Sequence, residues 1–124
     1  MKIPQGHQAV MPYLIMDGAA AFLDFVKKVF PVQVTHESRD EDGTIRHCEI
    51  QIHGSTIMFA NSTSDWKART ADMFVYVEDA DAAFNTAVAA GGKVIMPVED
   101  KDYGRSGGVQ DQFGNIWWIT SVKG

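Results

Sequence analysis

Two histidines and a carboxylate stand close enough in this chain to do acid–base or metal chemistry. In Arg46-His47-Cys48-Glu49-Ile50, His47 and Glu49 are two residues apart, so in a strand both leave the same sheet face. The turn-forming Asp40-Glu41-Asp42-Gly43 separates this segment from His36, and a hairpin there brings His36 across from His47. Imidazole nitrogen and carboxylate oxygen suit zinc, nickel, iron or manganese. His36, His47 and Glu49 are therefore the candidate metal nucleus; the plainer reading is solvated polar residues on a sheet rim. His7 precedes the first strand and can reach inward, but as a terminal histidine it is read as incidental. His53, beside a turn, is read as solvent-exposed. Other chemistry is thinner. There is no Ser/His/Asp order or nucleophile elbow, and Gly104–Gly108 has no following helix to cradle a phosphate. The acidic runs Glu99-Asp100 and Asp40-Glu41-Asp42 fall in turn-like segments.

Composition bounds the rest. The 124 residues are 45% hydrophobic, enough for one domain with an ordinary core. Eleven basic against sixteen acidic residues give a formal charge of −5, and no basic stripe is available to meet nucleic acid. The single cysteine, Cys48, cannot form an internal disulfide, and its alternating neighbours make it a small buried hydrophobe rather than a nucleophile. The N-terminal residues hold no apolar signal core and no apolar run approaches the ~20 residues of a membrane span, so a cytoplasmic protein is expected.

The elements that must position these residues follow from periodicity. Ala9–Met16 reads as a strand, with Asp17 as N-cap of a helix starting at Gly18. Phe22, Phe25, Val26, Val29 and Phe30 make one apolar helix face, and Pro31 stops it. Val32–Arg39, Thr44–His53 and Thr56–Ala60 are strands, the last two joined by a two-residue turn at Gly54-Ser55. After the polar connector Asn61–Thr70 the chain starts again. Asp72–Val77 is a strand, Asp79 caps a helix that Gly91-Gly92 ends, and Lys93–Pro97, Tyr103–Gln110 and Asn115–Thr120 are strands. Asp17-Gly-Ala-Ala-Ala-Phe22 and Asp79-Ala-Asp-Ala-Ala-Phe84 share spacing, so the order is βαβββ twice, an internal duplication.

Strand alternation sorts side chains onto faces. With a turn at Gly54-Ser55, Gln51 pairs with Met58, Glu49 with Ala60 and Ile50 with Phe59. One face then carries Cys48, Ile50, Ile52, Ile57 and Phe59, the surface the helices must cover. The other carries His47, Glu49, Gln51, His53, Thr56, Met58 and Ala60. In the second half Met73, Val75, Val77, Trp117 and Ile119 face the helix, leaving Asp72, Phe74, Tyr76, Ile116, Trp118 and Thr120 opposite. Met11, Tyr13 and Ile15 match Asp72, Phe74 and Tyr76 if a bulge near Asp17 absorbs one residue.

The tandem modules resemble the vicinal oxygen chelate superfamily, which includes glyoxalase I, bleomycin-resistance proteins and extradiol dioxygenases. The stretches Pro12–Ala21, Tyr76–Phe84, Tyr103–Gly108 and Asp111–Trp117 are similar to its small glyoxalase-like branch. The resemblance implies an α+β fold: one domain over residues 1–124, with module one about 8–61, a connector about 62–70 and module two about 71–122. It implies a curved mixed sheet around a U-shaped cleft, helices outside, and a homodimer. Metal-dependent members take a ligand from the first and last strand of each module. Those positions fall at Met11, Met58, Asp72 and Trp118, of which only Asp72 suits a hard divalent ion, and Val10, Ile57, Met73 and Trp117 beside them are no better. The expectation is a metal-free protein with no cofactor that binds a small aromatic ligand. Met11, Tyr13, Met58, Phe74, Tyr76 and Trp118 would line the cleft. His47, Glu49 and Gln51 would form a polar wall, with Trp66, Tyr103 and Arg105 closing over it. The alternative is a metal-dependent lyase, isomerase or dioxygenase-type enzyme using His36, His47 and Glu49.

Overall fold

A computed structural model describes residues 1–123; Gly124, the last residue of the expected domain, lies outside the described residues. The elements run β1 (Tyr13–Met16), α1 (Ala19–Val29), β2 (Val32–Arg39), β3 (Ile45–Ile52) and β4 (Ser55–Asn61). They continue β5 (Asp72–Tyr76), α2 (Ala80–Ala89), β6 (Lys93–Lys101), β7 (Gly104–Gln110) and β8 (Ile116–Ser121). This is the expected βαβββ order, twice. The sheets are ordered β1-β4-β3-β2 and β5-β8-β7-β6, parallel at β1–β4 and β5–β8 and antiparallel elsewhere. The chain divides into two compact units. One comprises residues 1–27 and 31–69, and the other residues 28–30 with the chain from Thr70 onward.

In the first unit the apolar face of α1 buries Phe22, Phe25 and Val26, and the Phe22 ring meets Phe59 edge-on at 5.0 Å. Cys48, Ile50, Ile52, Ile57 and Phe59 are buried on the sheet face that alternation assigned to the helix. The cap of α1 differs from expectation. Gly18 and Ala19 donate their amides to Asn61 Oδ1, each at 3.0 Å, while Asp17 accepts from the Ser62 hydroxyl. The end of β4 thus caps the helix, a long-range pairing that local sequence does not show. In the second unit Asp79 caps α2 as expected, accepting from the Ala82 amide. Trp117 and Ile119 are buried, and Phe30 lies 4.9 Å from the Trp117 ring. The strand β6 runs on past Pro97 to Lys101; it is the edge strand of its sheet, where a residue without an N–H costs least.

Two registers also differ from expectation. The β3–β4 turn is His53-Gly54, both at positive φ (48° and 83°), so Glu49 pairs with Met58 and Gln51 with Thr56. Two residues at positive φ make the turn whose twist suits a hairpin, and the sequence reading placed it one residue late. The shift moves partners by two positions and so leaves every side chain on its assigned face. Between β2 and β3, register shifts at Val34/His36 and at Ser38/Arg39 leave Thr35 and Arg46 as extra residues. His36 therefore pairs with Glu49, and His47 with Ser38.

Candidate functional site

The open face of the first sheet, away from α1, carries a continuous line of hydrogen bonds. Tyr13 Oη lies 3.1 Å from His47 Nδ1, His47 Nε2 lies 2.8 Å from Glu49 Oε2, and Glu49 Oε1 lies 2.7 Å from His7 Nε2. Strand geometry produces this line. His47 and Glu49 are neighbours on one face of β3, and Tyr13 reaches them from β1. The Glu49 side chain is only 15% exposed, and hydrogen bonds from His7 and then His47 hold its carboxyl below the usual range, against the opposing effect of burial. An ionised Glu49 takes the Nε2 proton of His47 as donor, so in neutral His47 the Nδ1 lone pair is left to accept the Tyr13 O–H.

The N-terminal segment lies on this face, and His7 is part of the site rather than incidental. Gln8 Nε2 donates to the Thr56 carbonyl at 2.8 Å, the Thr56 amide donates to Gln8 Oε1 at 3.3 Å, and Gln51 Nε2 donates to the Gly6 carbonyl at 3.1 Å. The Thr56 hydroxyl also donates to that carbonyl. Gln51, expected in the polar wall, is thus held by the chain's own segment. An unpatterned tail gives no periodic signal, which is why this contact escaped sequence reasoning.

Beside the line, in the same unit, is a pocket of about 420 Å³ lined by Tyr13, Ile15, Arg46, Ala60, Asn61, Thr63 and Trp66. Tyr13 and Trp66 are exposed, at 51% and 67%. Within the connector, Thr63 donates its amide to the Trp66 carbonyl at 2.8 Å, and the Trp66 amide donates to Thr63 Oγ1 at 3.0 Å. Arg46 was missed because simple alternation gives it the helix face; as the extra residue of a bulge it turns out instead. Met58 sits between Tyr13 and Glu49 in register, half-buried, and Met11 precedes β1.

The second unit has an aromatic open face. Phe74 pairs with Trp118 across β5–β8, and Phe74 lies 5.3 Å from Tyr76 and 6.1 Å from Tyr103 between ring centres. Trp118 Nε1 donates to Asp72 Oδ2 at 3.1 Å. The Trp118 ring lies on Gly108, where an added Cβ would come within 2.5 Å of it. Arg105 is corrected. Its guanidinium forks onto Asp81 of α2 at 2.6 and 3.0 Å and reaches Asp100 at 3.1 Å, on the sheet face opposite Trp118. These pairs raise the Arg105 pKa further and lower that of Asp81. Burial pushes the Cys48 thiol up to about 11, consistent with a core residue.

The family model of the glyoxalase/bleomycin resistance protein/dioxygenase superfamily matches residues 7–119. The chain belongs to that superfamily. An uncharacterised protein of Mycobacterium bovis is 31% identical over 121 residues, covering 88% of this chain and 80% of the relative. Two solved structures share the fold. A putative 3-demethylubiquinone-9 3-methyltransferase, PhnB protein, from Bacillus cereus has TM-score 0.73 at 20% identity, covering 93% of this chain and 100% of its own. TioX from Micromonospora sp. ML1 has TM-score 0.73 at 23% identity, with coverages of 94% and 98%.

The metal that some members of this superfamily use can be tested against the donors present. Met11 and Met58 offer thioethers, which are poor ligands for hard divalent ions, and Trp118 offers an indole N–H already given to Asp72. These positions do not fit the group. Of the alternative set, both Glu49 oxygens are hydrogen-bonded to imidazoles, those of His7 and His47, and the His36 ring lies 5.7 Å from that of His47. Among the described residues no three His, Cys, Asp or Glu side chains are arranged to hold an ion.

Proposed function

We propose that this superfamily member binds a small aromatic organic ligand without a metal. The observation that carries this reading is the pocket of about 420 Å³ whose lining includes Tyr13 and Trp66 together with Ile15, Ala60 and Arg46. Its size and its mix of rings, aliphatic side chains and few polar groups suit a planar molecule held by stacking. Trp118, Phe74, Tyr76 and Tyr103 give the second unit a further aromatic surface on which such a ligand can stack. The donor set at Met11, Met58, Asp72 and Trp118 supports the metal-free part of the reading.

The test is a thermal-shift screen of chelator-free protein against divalent metals, aromatic compounds and small carbonyl compounds, followed by titration calorimetry. Aromatic compounds should raise the melting temperature, and Trp66→Ala should weaken their binding by about tenfold, as expected for loss of one stacking ring. Stabilisation by a stoichiometric metal, lost in His47→Ala, overturns the reading.

A further inference from the structure

We propose that Tyr13, His47 and Glu49 form a proton-accepting site for an aromatic ligand bearing an acidic, phenol-type hydroxyl. This rests on the ligand-binding reading above and adds to it the chemical class of the ligand. The line Tyr13 Oη, His47 Nδ1, His47 Nε2, Glu49 Oε2 is directional. The carboxylate fixes the imidazole proton at Nε2 and leaves Nδ1 as a base, and the second Glu49 oxygen is itself anchored by His7 at 2.7 Å. At the other end Tyr13 is among the residues that line the pocket, which brings the end of the line beside the space a ligand would fill. Ala60, which pairs with Ile15 and follows the Cys48 partner Phe59, is small enough to let Tyr13 span β4 to reach His47.

A ligand hydroxyl placed against Tyr13 Oη hands its proton to that oxygen as the Tyr13 proton passes to His47 Nδ1. One O–H bond breaks on the ligand and one forms on Tyr13; one breaks on Tyr13 and an N–H forms on the imidazole. The products are a ligand oxyanion and an imidazolium, with no electrons exchanged. The imidazolium faces Glu49, and the oxyanion lies in a pocket that also contains Arg46. A phenol carrying an electron-withdrawing group suits this site because such a substituent brings its acidity down toward that of imidazole, whereas an unsubstituted phenol, about 3.5 units weaker, and still more an aliphatic alcohol keep their proton. The groups facing His47 are Tyr13 from β1, His36 from β2 with its ring 5.7 Å away, and Glu49 from β3. Glu49 is shared with His7 of the N-terminal segment, and β4 supplies only the uncharged Met58 and Ala60.

The experiment uses 4-nitrophenol, whose ionised form is coloured, and 4-nitroanisole, which has the same shape and no proton to give. Bound 4-nitrophenol should ionise at lower pH than in free solution, and it should bind at least about tenfold more tightly than the anisole. Tyr13→Phe and His47→Gln should each return the bound probe to its free titration while Trp66 still holds it weakly. Glu49→Gln should shrink the shift by weakening the base rather than the pocket. Probe and anisole bound equally, or a bound probe that titrates as it does free, overturn the proton-accepting site and leave the ligand-binding reading standing. Failure of both compounds to bind overturns both.

Discussion

Asp111→Ala should be among the most costly single changes in the second unit. The Asp111 side chain is 4% exposed and accepts from the Phe113 amide at 2.9 Å, the Asn115 amide at 2.9 Å, Asn115 Nδ2 at 3.3 Å and Trp117 Nε1 at 3.0 Å. Asn115 and Trp117 are each 1% exposed, so water cannot readily replace the lost acceptor there. A buried hydrogen bond to a charged group contributes about 1.5–3 kcal/mol, and counting only the Asn115 amide and the indole gives a loss of about 3–6 kcal/mol. That is a large part of the roughly 5–15 kcal/mol that holds a typical domain folded. Asp111→Asn keeps an acceptor oxygen of similar shape but loses the charge and one oxygen, so about half the cost should remain. Urea unfolding followed by near-ultraviolet circular dichroism measures both, because Trp117 reports on the same neighbourhood. A loss below about 1 kcal/mol for Asp111→Ala, or an equal loss for both variants, refutes the reasoning that the carboxylate organises the turn before β8.

Two further outcomes follow from packing and ionisation. Glu49 has its folded pKa depressed below the ordinary 4.5, so its ionic hydrogen bonds stabilise the fold above about that value and are lost as pH falls through the lower folded value. The stability difference between the native protein and Glu49→Gln, taken from urea midpoints, should therefore be widest above pH ~4.5 and narrow below it; a difference that grows on acidification contradicts the assignment. Gly108→Ala should drive the Trp118 ring off β7, since the new Cβ would lie 2.5 Å from Cζ3 and 2.8 Å from Cε3, at a cost of about 1–3 kcal/mol. Adding Trp118→Ala should relieve that cost, and additive losses in the double variant would show that ring and glycine do not compete for the same space.

The fold was legible because its signals are periodic and repeated. The helix stripe Phe22, Phe25, Val26, Val29 and Phe30 is buried as its spacing predicts, and so are Cys48, Ile50 and Phe59 on one face of their sheet. Face assignment survived a wrong turn position because a two-residue register error preserves parity. The site was harder to read for the opposite reason: its decisive residues sit where periodicity breaks. Arg46 reaches the pocket through a bulge, Asn61 caps α1 from the end of another strand, and His7 and Gln8 come from a segment with no pattern. Arg105 was misplaced for a related reason. Taken for a loop residue it was free to point anywhere, but as the second residue of β7 it must share the face of Gly107 and Val109, toward α2.

The duplication lets the two parallel strand junctions be compared position by position. Tyr13 pairs with Met58 in the first sheet as Phe74 pairs with Trp118 in the second, each at the parallel junction of a first and a last strand. Register is therefore conserved between the halves while side-chain chemistry is not. Each pair joins an aromatic ring to a thioether or an indole, and the one side-chain oxygen among them, Tyr13 Oη, is hydrogen-bonded to His47. The polar groups of the first unit lie one strand further in, on β3, where Glu49 faces Met58 and hydrogen-bonds to two histidines. A carboxylate so placed orients an imidazole and leaves a nitrogen base beside the Tyr13 hydroxyl. In this chain the polar groups of the first unit form one hydrogen-bonded line, Tyr13 to His47 and both His47 and His7 to Glu49, beside Met58 on the neighbouring strand.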